Sequence, residues 1–218
     1  DITPYLREGK NAVMIELGKG TYGQHHTSFK VLAGTPGPYV QSPRLLAQFN
    51  ICLPGGKTQI EGTDTRDWYA AFGDIYENDL YDGEVCDGRV DITRYAQPDF
   101  CPQAEGWPKA AESPAPGGVL RASRIQPIRI TKTLEPVSIK HISKYRCIVD
   151  FGQNFAGWTR LKMKGLPDKR ITLKHGEVLN QAGWVSTDNL RDARAVDNYV
   201  LKGGEYEIYQ PRFTYHGF

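Results

Sequence analysis

The sequence predicts an all-β chain of antiparallel β-sandwich sheets, and three observations carry that prediction. Short runs rich in β-branched and aromatic residues recur along the chain, each bounded by Gly, Pro, Asn or Asp. Almost no segment sustains a helical apolar period, so the helices that βαβ units need are missing. Several runs alternate by side. In Thr159-Arg160-Leu161-Lys162-Met163-Lys164, Leu161 and Met163 face one way and the basic side chains the other, the pattern of an antiparallel sheet with one face in water.

In chain order the predicted strands are VMIEL (13–17), FKVLAG (29–34), RLLAQFNICL (44–53), TQIEG (58–62), IRITKTL (128–134), VSIKHI (137–142), YRCIVDF (145–151), TRLKMKG (159–165), RITLKHGEVL (170–179), NYVLKG (198–203) and EIYQPRF (207–213). Between Gln97 and Gly118 the composition turns to Pro, Gly and Ala, which reads as a loop region near a domain junction. Two modules in tandem follow, residues 1–125 and 126–218. A chain of 218 residues with 39% hydrophobic content can fill their cores. The opening DITPYLREGKNAV and the closing PRFTYHGF lack polar fraying, so both ends read as cuts in a longer polypeptide.

Charge excludes some partners. With 27 basic and 25 acidic side chains interspersed, the net charge of +2 gives no field to gather nucleic acid or an anionic membrane. No window is apolar enough for a membrane span, and the first residues have no signal-peptide order. Any export signal would lie upstream; a periplasmic or extracellular location fits but is not fixed. Cys52, Cys86, Cys101 and Cys147 form no C-x-x-C pair and read as buried or free thiols, with a Cys86–Cys101 bond as the alternative.

Two motifs raise nucleotide chemistry. GKGTYG (18–23) has the G-x-G-x-x-G spacing of a phosphate-cradling loop, and Asp150-Phe151-Gly152 has the triplet with which protein kinases hold magnesium. Their context is wrong. No Asp or Asn lies between Asp99 and Asp150 to serve as catalytic base or second magnesium ligand, and Lys30 has no V-A-I-K around it. No amphipathic helix follows the glycines to meet a pyrophosphate, so they read as a turn between strands. The histidines are no more suggestive: His25 and His26 are adjacent, His141, His175 and His216 are isolated, and none has the i, i+4 spacing of a helical zinc site.

The stretches DFGQNFAGWTRLKMKG, HGEVLNQAGW, NLRDARAVDNYVLKG and PRFTYHGF, in this order, resemble the bacterial α-L-rhamnosidase family of glycoside hydrolases. The earlier DITPYLREGKNAVMIELGKGTYG, PRLLAQFNICLPGG, TDTRDW and IYENDLYDGEVCDGR resemble the domain that precedes it there. The resemblance implies a jelly-roll, sugar-binding-type module lacking its first strands, then a truncated concanavalin-like β-sandwich. It also implies that the catalytic carboxylates sit in a helical toroid absent from this chain, whose cleft loops near TYHGF or DFGQN would edge. Departures from the family pattern are Thr21, where an aromatic is usual, and Cys86 and Gly88, where Tyr and Ala are frequent.

Hydrolysis of a glycoside needs two carboxyl groups about 5 to 9.5 Å apart. Asp79, Asp82, Glu84 and Asp87 supply carboxyls, but their Gly- and Asp-rich segment reads first as solvated turns and second as an oxygen-ligand calcium site through Asp82, Glu84 and Asp87. Calcium-assisted rhamnose binding in some relatives adds to that second reading. For sugar recognition, which pairs an aromatic platform with directed polar groups, Trp68 beside Asp64, Arg66 and Asp67 is the best cluster. A packed Trp at a strand start is the plainer reading, as it is for Trp158 and Trp184. The expected function is thus the non-catalytic portion of an α-L-rhamnosidase-like enzyme, with a rhamnose-containing carbohydrate and the missing catalytic domain as partners. A free-standing carbohydrate-binding module or lectin using calcium is the alternative.

Overall fold

The structure is a computed structural model that describes residues 1–23, 42–115 and 117–218. The predicted strand 29–34, His25, His26 and Lys30 lie outside the described residues. Twelve strands are present among the described residues: β1 Gln48–Cys52, β2 Thr58–Gly62, β3 Ile75–Asp79, β4 Gly83–Asp87, β5 Ser138–Ser143, β6 Arg146–Asp150, β7 Ala156–Gly157, β8 Leu161–Met163, β9 Arg170–Lys174, β10 Val196–Val200, β11 Glu207–Tyr209 and β12 His216–Gly217. The only helical turns described are short 3-10 turns at Thr3–Tyr5, Ile92–Ala96 and Asp188–Leu190. The chain is therefore all-β, as expected. No described helix is long and apolar enough to cross a membrane.

The largest sheet has four strands in the order β3-β4-β10-β9. Two of its three strand pairs arise as the pattern predicts, by antiparallel pairing, but β4 and β10 run parallel, with Cys86 opposite Tyr199. A parallel pair needs a long crossover. Here the crossover, residues 88–195, is about half of the chain, since β4 belongs to the first sequence segment and β10 to the second. The inward face of this sheet carries Glu84 and Cys86 from β4 and Asp197 and Tyr199 from β10. Ile171 and Leu173 of β9 lie opposite Tyr199 and Asp197 in the ladder. Pairs β8–β11 and β7–β12 supply further strands, and the buried cluster of Cys86, Tyr199, Leu201 and Tyr209 gathers Met163, Ile75, Ile171 and Leu173 around it. The rings of Tyr199 and Tyr209 stack at 4.9 Å. Leu161 and Met163 are partly buried and Lys162 is exposed, as the alternation requires.

Two hairpins lie outside this layered core. β1–β2 turns through Gly55 and Gly56, and β5–β6 through Lys144 and Tyr145. The predicted strands at 13–17 and 128–134 pair in no ladder among the described residues. In the opposite direction, the Gly- and Asp-rich segment around Asp79, Asp82, Glu84 and Asp87, expected as solvated turns, builds the β3–β4 hairpin with Glu84 and Asp87 almost fully buried. Each of those carboxylates has enough donors around it to replace water.

All four cysteines are free thiols. Cys86 is buried with its Sγ 3.5 Å from Asp74 Oδ2, so the alternative bond to the exposed Cys101 is not made. Burial pushes the Cys86 thiol far up, leaving it inert.

Candidate functional site

The cluster around Trp68 is only partly assembled. Asp64 accepts from the backbone N–H of Asp67 at 2.8 Å and of Arg66 at 2.9 Å, and from the Arg66 guanidinium at 2.9 and 3.1 Å. These bonds lower the Asp64 pKa, the Asp67 amide most, and make the residue a turn-former. Trp68 turns away from them: its Nε1 donates to Gly62 O at 3.0 Å and its ring stacks on Phe49 of β1 at 6.4 Å. The Asp67 carboxylate, at the exposed edge, has no hydrogen bond to the other three. Trp158 is half-buried, whereas Trp184 is 41% exposed in a turn held by Asn180 rather than packed between sheets.

Asp82, Glu84 and Asp87 each serve a different partner. Asp82 accepts from the Arg194 backbone and guanidinium at 3.1 and 3.3 Å. Glu84 receives Tyr209 Oη at 3.2 Å and the backbone N–H groups of Arg212 and Phe213, each at 3.1 Å. Burial nevertheless raises its pKa, the backbone donors opposing. Asp87 is clamped by the Arg89 guanidinium at 2.7 and 2.9 Å and receives Tyr76 Oη at 3.1 Å, and Arg89 holds its pKa down at about 2. The oxygens thus close β4 against its neighbours. A groove of about 120 Å³ lies on the other face of the sheet, lined by Glu77, Asp82, Val85, Arg194, Val196 and Asn198.

The two nucleotide-like motifs have structural roles. Residues 20–23 form a turn closed by Gly23 N–H on Lys19 O at 2.9 Å, and Lys19 N–H bonds Asn78 at 2.7 Å. A Cβ on Gly18 would lie 2.3 Å from the Phe213 ring, so this glycine is there for close packing. Thr21 is exposed. Asp150 caps its own loop by accepting from Gly152 N–H at 2.7 Å, while Phe151, Phe155 and Phe218 pack ring on ring at 4.4–5.6 Å. Phe155 and Phe218 also exchange both backbone hydrogen bonds, which places DFGQNF beside TYHGF.

One constellation is invisible to sequence spacing. His175 just past β9, Asp197 of β10 and His216 of β12 meet in the interior, one potential ligand atom from each within 4.8 Å of the others; this is the only such group of three among the described residues. Asp197 Oδ1 accepts from Glu84 N–H at 2.9 Å and lies 3.1 Å from His216 Nε2. The imidazoles stack at 4.4 Å. Three separate strands contribute the residues, so only the inward face shared by alternate positions could have hinted at them.

Residues 1–132 match the family model of the α-L-rhamnosidase N-terminal domain, and residues 140–218 match that of the bacterial α-L-rhamnosidase concanavalin-like domain. The chain belongs to the bacterial α-L-rhamnosidase family. An α-L-rhamnosidase of Streptomyces avermitilis is 35% identical over the whole chain, which covers 20% of that protein, and one of Alteromonas sp. is 30% identical, with 23% of it covered. The chain thus spans about a fifth of the length of these relatives. Among solved structures, α-L-rhamnosidase from Dictyoglumus thermophilum superposes with a TM-score of 0.74 at 36% identity, over 79% of this chain and 19% of that one. The Streptomyces avermitilis enzyme complexed with L-rhamnose gives 0.72 at 36% identity, over 79% of this chain and 17% of its own. This rhamnosidase segment is non-local in its core and dominated by sheet, in keeping with those likenesses.

Proposed function

We propose that these residues are the non-catalytic β-sandwich portion of an α-L-rhamnosidase-like glycoside hydrolase acting on terminal L-rhamnose of plant glycosides or polysaccharides. The modules are residues 1–125 and 126–218, and catalysis comes from a helical toroid in the same polypeptide. The observation that carries this reading is the match of the whole chain to about a fifth of each curated rhamnosidase. It is supported by the use made of the buried carboxylates: Glu84, Asp87 and Glu207 spend their oxygens on backbone amides, tyrosine hydroxyls and Arg89. Such groups brace strands and are not free to exchange protons with a glycosidic oxygen. The joined DFGQNF and TYHGF loops would form the edge that meets the toroid.

Hydrolysis of p-nitrophenyl α-L-rhamnopyranoside tests the assignment. The 218-residue chain is expected to release nitrophenol no faster than buffer, and the product of the complete reading frame to release it catalytically. Turnover by the chain alone would overturn it. A second reading is a carbohydrate-binding module that uses calcium, whose ligand would meet the chain at the groove lined by Asp82, Glu77 and Arg194. Calorimetry with L-rhamnose, with and without calcium, decides that reading, and absence of binding heat in both removes it.

A further inference from the structure

We propose that His175, Asp197 and His216 form a binding site for a divalent transition-metal ion of the zinc type. The site goes beyond the rhamnosidase reading and differs from any calcium site at Asp82, Glu84 and Asp87, because two imidazoles and one carboxylate suit zinc, whereas calcium takes oxygens.

The hydrogen bonds leave two atoms unexplained. His175 Nδ1 lies 3.2 Å from Ala195 O and donates to it, which leaves Nε2 as a bare lone pair. This is the outer-shell bond that metal-bound histidines use to set their tautomer and orientation. Nε2 itself has no hydrogen-bond partner, and neither has Asp197 Oδ2. The two residues are 4% and 0% exposed. Their unpartnered atoms face each other across 3.9 Å, beyond hydrogen-bond reach. Zinc bonds of about 2.0–2.1 Å to nitrogen and about 2.0–2.2 Å to a carboxylate oxygen span that gap.

Asp197 Oδ1 is already held by Glu84 N–H, so the carboxylate is oriented before any ion arrives. His216 supplies the third ligand by moving its Nε2, now 3.1 Å from Oδ1, onto the ion, which opens the stack of the two rings. Three protein ligands leave a fourth tetrahedral position for solvent. The ion would tie the end of β9 to β10 and β12.

The test uses protein expressed from its complete reading frame, stripped with a chelator and titrated with Co²⁺ and then Zn²⁺. One equivalent of Co²⁺ is expected to produce the visible bands of a four-coordinate site, Zn²⁺ to displace it, and Zn²⁺ to raise the melting temperature. His175→Gln and His216→Gln should each weaken Co²⁺ binding by about 1,000-fold, more than the roughly 10- to 100-fold typical of outer-shell changes. His141→Gln, on exposed β5, should leave it unchanged. Near-UV circular dichroism establishes that the variants fold, and the wild-type titration decides even if they do not. Failure of the wild type to bind Co²⁺ at micromolar concentrations overturns the proposal, as does a band that survives His175→Gln, which would mark a surface site. Neither readout depends on rhamnosidase activity.

Discussion

The β3-β4-β10-β9 sheet and the β5–β6 hairpin are made of similar residues and have opposite fates. In β4 four of five residues are buried, and in β10 the alternate residues Asp197 and Tyr199 are buried. All six residues of β5 are exposed, including Ile139 and Ile142. Both carry apolar residues, Ile139 and Ile142 on β5 and Ile171 and Leu173 on β9. What separates them is pairing range: β5 finds only its immediate successor, whereas β4 is flanked by β3 and by β10 from the other end of the chain. A two-stranded ribbon has no second layer to exclude water, so its apolar residues stay exposed.

The same comparison explains the polar core. Glu207 Oε2 receives Tyr199 Oη at 3.1 Å and Lys202 N–H at 3.0 Å, and Oε1 receives Gly203 N–H at 3.0 Å. Glu84 does the equivalent for Tyr209, Arg212 and Phe213. Each carboxylate satisfies backbone groups where the chain leaves a strand, which a hydrocarbon side chain could not do.

The largest expected effect is in the layered core. Leu201→Ala should cost about 3 kcal/mol, read from urea unfolding, because a 1% exposed leucine leaves a cavity. A loss below about 1 kcal/mol would mean that the cluster around Leu201 is not packed as described.

Asp87→Asn follows, at about 2 kcal/mol near neutral pH. The folded carboxyl titrates at about 2 against an ordinary 3.8, so its contribution is complete above the unfolded value and is lost as pH falls through the folded one. Wild type and variant should therefore converge between about pH 4 and pH 2. A constant difference across that window would remove the Arg89 pairing as the cause.

Gly88→Ala should cost about 1–2 kcal/mol through overpacking. A Cβ there would lie 1.9 Å from Tyr199 Oη, so the change forces the ring off Glu207. Tyr199→Leu in the same chain should recover much of the Gly88→Ala loss, and additive losses would sink the explanation. Tyr199 occupies the space beside residue 88, which accounts for the glycine there. Smallest is Ile139→Thr on β5, expected within about 0.5 kcal/mol of wild type. A larger loss would show that the hairpin is covered after all.

Most strand positions were legible because alternation and turn residues are local signals: β1, β2, β6, β8, β9 and β11 fall within predicted runs, β5 extends one residue past its run, and β10 starts two residues before its run, at Val196. The β3–β4 hairpin was not, because five acidic residues between Glu77 and Asp87 look like a solvated loop until their donors are known. Those donors, Arg212, Phe213, Tyr209 and Arg194, lie more than a hundred positions away. The segments 13–17 and 128–134 erred the other way, since apolar residues at strand spacing need a neighbour to become a ladder.

By itself the sequence determined the all-β class, the failure of the nucleotide motifs and the family, since each rests on local pattern or on motifs in order. Only the tertiary structure decided which carboxylates are buried, that Trp68 packs on Phe49, and that His175, Asp197 and His216 share one interior point. The physical reason is the parallel junction of β4 with β10. It joins residues 113 positions apart, Glu84 and Asp197, and no period within either strand encodes its partner.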